Sequence, residues 1–311
     1  MTGVINTTQA ELEKNGFKVK TVSITHLSEL QEDIDKFHRQ GLLDKQLSDS
    51  YLRFQYGTPE DLPGATIIFI IAVPQPITRA QFTWQGTTYE ADIPPTYIGK
   101  TDDTRVKDIL TSVLKPAGYR LARARLPVKT LAVRSGLMQY GRNNITYVPG
   151  MGSFQRLVAF YSDCPTERDD WQELKVMKAC ETCFKCLENC PTQCISTDRF
   201  LIHAENCLTW LNESEGDFPD WVKPDWHNAL IGCMHCQLIC PVNKTQIKKV
   251  ADGPIFSEKE TGLLLQKIPS DKLAEVTRDK LVSISANDWY EVLARNLRVL
   301  IESRLFTPHV P

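Results

Sequence analysis

A chain of 311 residues, 42% hydrophobic and 24% charged, has the length and composition of a soluble protein with more than one domain. Its formal net charge of -2 supplies no global attraction to a polyanion, which argues against a nucleic-acid partner. The first sixteen residues lack a basic region followed by an apolar core, and the apolar run 67–73 is too short to span a bilayer. A cytoplasmic protein with no membrane contact is therefore expected.

In chain order, Thr8-Gln-Ala-Glu11 predicts a capping box opening a short helix, with Gly16 as its stop and an alternating strand over 17–22. An amphipathic helix is predicted over 30–43. A turn at 62–65 then feeds 66–73, whose unbroken apolar character fits a strand buried on both faces. A helix over 106–117 and a strand over 156–161 complete an α/β domain spanning 1–163. The cysteine-rich stretch 164–248 marks a second module. Residues 249–311 read as helices, with a capping box at Ser257-Glu-Lys-Glu260 and Trp289, Val292, Leu293, Leu297 and Leu300 at helical spacing.

Ten cysteines in a reducing compartment point to metal binding or catalysis rather than disulfides. Cys180, Cys183, Cys186 and Cys190-Pro191 follow C-x2-C-x2-C-x3-C-P, the bacterial ferredoxin run. Cys233, Cys236 and Cys240-Pro241 repeat its second half, and Cys207 stands between. Zinc sites also use paired C-x2-C motifs, but they seldom add a third cysteine at the same spacing and then Cys-Pro. Two [4Fe-4S] cubanes need eight thiolates, and these are eight. The reading is crossed: Cys180, Cys183, Cys186 and Cys240 hold one cluster, and Cys190, Cys207, Cys233 and Cys236 hold the other. Cys164 and Cys194 fit no ligand slot and read as small packed residues.

Leu62-Pro-Gly-Ala-Thr-Ile-Ile-Phe-Ile-Ile-Ala-Val-Pro74, Leu131-Ala-Val-Arg-Ser-Gly-Leu-Met-Gln-Tyr-Gly-Arg-Asn-Asn144 and Gly232-Cys-Met-His-Cys-Gln-Leu-Ile-Cys-Pro-Val-Asn243 occur in an order and spacing that resemble epoxyqueuosine reductase. That family is related to the reductive dehalogenases. The resemblance, over about 10–245, implies a cobalamin-binding α/β domain joined to a ferredoxin-like double-cubane module and a short helical C-terminal segment. It also implies an external electron donor such as flavodoxin or ferredoxin, with cobalamin carrying out the reduction. By the same resemblance, the cofactor contacts would be Met138, Gln139, Tyr140, Gly141, Arg142 and Asn143, while Gly150-Met-Gly-Ser153, with Gly150, Gly152 and Ser153, reads either as a close-approach loop against the cofactor or equally as a plain turn.

The sequence departs from the family at two places. Ala122 stands where the family has an aspartate proton donor, and Met138 stands where it has a glycine. Tyr140, Arg142 and Tyr97 are the candidates to supply the proton instead. The segment after 250 is also short for the family's helical-repeat tRNA platform. These departures predict a reductase of an unidentified small molecule in place of tRNA epoxyqueuosine. The alternative is an electron-transfer protein, or a reductase of the corrinoid on a partner protein.

Overall fold

The computed structural model describes residues 2–165 and 169–305. In chain order, its helices and strands are α1 (Thr2–Lys14), β1 (Lys18–Ser23), α2 (Leu27–Arg39), α3 (Lys45–Tyr51), β2 (Ile67–Pro74), β3 (Ile77–Trp84), β4 (Thr87–Ile93), α4 (Lys100–Leu114), β5 (Leu121–Arg123), α5 (Val128–Arg134), β6 (Gln139–Tyr140), β7 (Thr146–Tyr147), β8 (Gln155–Ser162), α6 (Lys185–Glu188), α7 (Leu208–Glu213), α8 (His235–Leu238), β9 (Val250–Phe256), α9 (Glu258–Leu265), α10 (Glu275–Ser283) and α11 (Tyr290–Leu305). They form two compact units that interleave along the chain. One comprises Met1–Pro74, Lys100–Phe184 and Thr197–Ala204, and the other Gln75–Gly99, Lys185–Ser196 and Glu205–Pro311.

The first unit is built on an antiparallel sheet of order β1-β2-β8-β5. The strand predicted at 66–73 is its β2, buried from Ile67 through Val73. Burial on both faces explains why its sequence does not alternate. Ile67, Phe69 and Ile71 pack with Leu12 of α1 and with Val106, Leu110 and Leu114 of α4. Ile68, Ile70 and Ala72 face the opposite layer, with Leu30 of α2 and Leu131 of α5. Each such Leu, Ile, Val or Phe side chain stabilises the fold by about 1.5–3 kcal/mol.

The capping box predicted at Thr8 is not a helix start. α1 already runs from Thr2, and the Thr8 hydroxyl donates back to the Val4 carbonyl at 2.8 Å. The helix does end where Gly16 takes φ +81.

In the second unit β3 and β4 form a hairpin across Gln85 and Gly86, both at positive φ as a type I′ turn requires, and β9 pairs parallel to β3. Phe82 and Phe256 stack at 4.7 Å beneath Leu264, Leu281, Leu293, Leu297 and Leu300 of α9, α10 and α11. The capping box at Ser257 forms as predicted, with the Ser257 backbone N–H donating to Glu260 at 2.8 Å. The C-terminal helices thus find their core on a hairpin nearly two hundred residues upstream.

Candidate iron-sulfur and cofactor site

In the first unit, β6 and β7 make a short hairpin over 139–147, and the chain before the first cysteine run pairs with it. Tyr140 N–H donates to the Lys175 carbonyl, and Met177 N–H donates to the Tyr140 carbonyl, both at 2.8 Å. Arg142, at the tip, reaches the cysteines themselves. Its Nε donates to the Cys183 carbonyl at 3.2 Å, another of its guanidinium nitrogens donates to the Cys180 carbonyl, and the guanidinium lies 4.4 Å from the centre of the Phe184 ring. Its contacts hold the cysteine loop in place.

The other residues of this stretch divide by burial. Gln139 and Gly150 are exposed, whereas Met138, Tyr140, Gly141, Asn143, Gly152 and Ser153 are buried. Tyr140 shares a 3.0 Å hydrogen bond with Thr130, and burial pushes its phenol up to about 12, so it keeps its proton at neutral pH. Gly141 has no room for a side chain: a Cβ there would meet Tyr147 Cε2 and Asn143 Oδ1 at 2.6 Å. Asn143 donates to the Tyr147 hydroxyl at 2.9 Å. Asn144 Nδ2 and Gln155 Oε1 are buried without a hydrogen-bond partner. Sequence reasoning missed both, because an orphaned amide is visible only in three dimensions. Such a donor and acceptor suit the amide side groups that rim a cobalamin ring.

Ala122 is buried in β5 opposite Tyr161 of β8. Tyr161 is buried as well, its hydroxyl has no partner, and burial pushes its phenol up to about 12.

Cys180 and Cys183 belong to the first unit and the remaining six predicted ligands to the second. There Cys190, Cys207 and Cys233 lie close enough to act on one another electrostatically. The hydrogen bond from Cys194 draws the Cys190 thiol down to about 5, whereas burial pushes that of Cys233 up to about 12. Sulfurs packed this closely away from water cannot all be thiolates unless cations sit among them, and iron in a cluster provides those cations. Cys164 is simply buried, as expected, but Cys194 contacts two predicted ligands.

Tyr97 is in the second unit, while Tyr140 and Arg142 are in the first. Its hydroxyl donates to the Glu213 carboxylate. Burial and that carboxylate hold the phenol well above its ordinary range, and burial raises Glu213 too. α11 fixes the segments beside this pair. Asn296 Nδ2 donates to the Asn212 and Leu230 carbonyls at 3.0 and 3.1 Å, and Arg295 donates to those of Leu211 and Asn212 at 3.0 and 3.1 Å. Among the described residues, no helix is long and apolar enough to cross a membrane.

A 4Fe-4S double cluster binding domain matches residues 179–243. Epoxyqueuosine reductase of Bacillus subtilis is 31% identical over 185 residues, which cover 60% of this chain and 42% of that protein. The enzyme of the same name from Xanthomonas campestris is 35% identical over 132 residues, covering 42% of this chain and 36% of its own. The matched segments thus span less than half of these relatives. Among solved structures, epoxyqueuosine reductase with a tRNA-Tyr epoxyqueuosine-modified stem loop superposes with TM-score 0.66 at 20% identity, covering 97% of this chain and 80% of that one. The Streptococcus thermophilus enzyme superposes with TM-score 0.64 at 16% identity, covering 96% and 80%.

These findings overturn the expectation that tRNA epoxyqueuosine is not the substrate and that tRNA is not a partner. The relatives carry the enzyme's name, and one neighbour was solved on a modified tRNA stem loop. The error has a physical source: a net charge of -2 averages the whole surface, whereas phosphate contacts are local, and Lys244, Lys248 and Lys249 are all exposed just after the second Cys-Pro. In both sequence and fold, this chain resembles the epoxyqueuosine reductases.

Proposed function

We propose that this protein is an iron-sulfur reductase of the epoxyqueuosine reductase type, acting on an epoxide carried by a tRNA nucleoside. The reading is carried by the double-cluster cysteine set in a chain 31–35% identical, over the matched segments, to enzymes of that name. Removing an epoxide oxygen takes two electrons and two protons and releases water, leaving an alkene. Two clusters, each passing one electron at a time, suit that demand.

Cys180, Cys183, Cys186 and Cys240 are proposed for one cluster, and Cys190, Cys207, Cys233 and Cys236 for the other. Cobalamin, when bound, would supply low-valent cobalt as the reductant. Asn144, Gln155 and the loop from Gly150 to Ser153 are proposed to hold it. Tyr140, kept protonated by burial, is the proposed proton source in place of the absent aspartate. The exposed Lys244, Lys248 and Lys249 are proposed to meet tRNA phosphates.

The test is anaerobic protein loaded with iron, sulfide and cobalamin, given a strong reductant and an epoxyqueuosine-containing tRNA stem loop. Mass spectrometry of the nucleosides should show loss of one oxygen. No conversion by protein carrying both clusters and cobalt would overturn the proposal.

A further inference from the structure

Cys194 is a ninth cysteine in a module whose two clusters need eight. It is only 3% exposed. Its Sγ lies 3.5 Å from Cys190 Sγ, and it is also hydrogen-bonded to the Cys207 thiol. Cys190 and Cys207 are two proposed ligands of the same cluster, and all three residues belong to the second compact unit. Cys190 has a further neighbour in the Thr192 hydroxyl at 3.6 Å. An S–H is a weak donor and a ligand sulfur an acceptor, so the thiol that fills no ligand slot is the one placed to donate to its two neighbours.

We infer that Cys194 is a positioning residue for the second cluster, donating S–H···S hydrogen bonds to the ligand sulfurs of Cys190 and Cys207. Hydrogen bonds to ligand sulfurs offset the extra negative charge a cluster gains on reduction, so they raise its reduction potential. Cys194 would thus make the second cluster easier to reduce than it would be without that thiol. The inference rests on the proposed ligand assignment, and the test separates the two.

The experiment is a potentiometric titration followed by electron paramagnetic resonance on holoprotein and on the Cys194→Ala and Cys194→Ser variants, with iron quantified in each. Two clusters in the parent protein support the ligand assignment on their own. Cys194→Ala should keep both clusters, lower the midpoint potential of one and leave the other unmoved, while Cys194→Ser should fall between Ala and the parent. Unchanged potentials in Cys194→Ala would overturn the inference. So would loss of a whole cluster, which would make Cys194 a ligand rather than a donor.

Discussion

Arg142 donates its Nε hydrogen to the Cys183 carbonyl at 3.2 Å and so ties the tip of the β6–β7 hairpin to the first cysteine run. A guanidinium fork can satisfy two carbonyls at once where an ammonium cannot. Arg142→Ala should therefore lower the iron bound per protein while leaving the fold intact by circular dichroism, and Arg142→Lys should restore part of it. Full iron content in Arg142→Ala would show that the loop holds without this contact.

α11 grips the single-cysteine segment through Asn296, which is 1% exposed and donates to the carbonyls of Asn212 and Leu230. Leaving a buried carbonyl unpaired costs about 1–3 kcal/mol. Asn296→Ala should lower the melting temperature by several degrees and release the cluster assigned to Cys207 and Cys233 before the other. Equal loss of both signals during a thermal ramp would argue that α11 supports the whole module evenly.

In the first unit Arg134 forms a two-pronged ion pair with Asp33 at 2.7 and 2.9 Å and lies over the Trp171 ring at 5.4 Å. Both side chains are about one-tenth exposed. Without Asp33, Arg134 keeps only the Gln172 carbonyl at 3.2 Å and the exposed Glu173 carboxylate at 3.4 Å, and a buried charge so under-paired costs up to about 3–5 kcal/mol. Asp33→Ala should show a loss of that order in urea unfolding, and a loss below about 1 kcal/mol would mean that water reaches Arg134 in the variant.

Burial opposes the charge on Glu260, but hydrogen bonds from Lys280, Ser257 and Thr277 prevail and hold its carboxyl at about 2, below the ordinary glutamate value of 4.5. Its contribution is therefore present above pH 4.5 and is lost as pH falls toward 2. Glu260→Gln should lower stability at neutral pH and make stability less dependent on pH in that acid window, as read from melting temperatures across the range. A parallel pH profile for parent and variant would mean that other carboxylates set the acid response.

The parts of the molecule legible in the sequence were those that rest on a local rule. The ferredoxin spacing is fixed by the geometry of the cluster, and 66–73 declares itself a buried strand by lacking polar residues. The Ser257 capping box and the apolar stripe from Val292 to Leu300 are local as well. What escaped depends on partners distant in sequence. β9 pairs with β3 across some 170 residues, and the Gln85-Gly86 turn lacks the Asn-Gly signature. The Thr8 motif matched a capping box yet lies inside a helix, because Thr2 onward buries Ile5 and Leu12 against α4. The role of Cys194 emerged only once Cys207 was placed beside it.

Gly232 directly precedes Cys233 and takes φ +67, a conformation that side chains disfavour. A Cβ there would also stand 2.7 Å from Cε2 and 2.8 Å from Cζ of Tyr97, the ring whose hydroxyl donates to Glu213. Gly232→Ala therefore meets two penalties, backbone strain of about 1 kcal/mol or more and overlap with a packed ring. The backbone would shift, Cys233 with it, and the variant should lose iron. Tyr97→Ala removes the overlap but not the strain, so the double variant Tyr97→Ala with Gly232→Ala should bind more iron than Gly232→Ala alone. A purely additive loss would assign the whole defect to the backbone conformation at Gly232 and none to Tyr97.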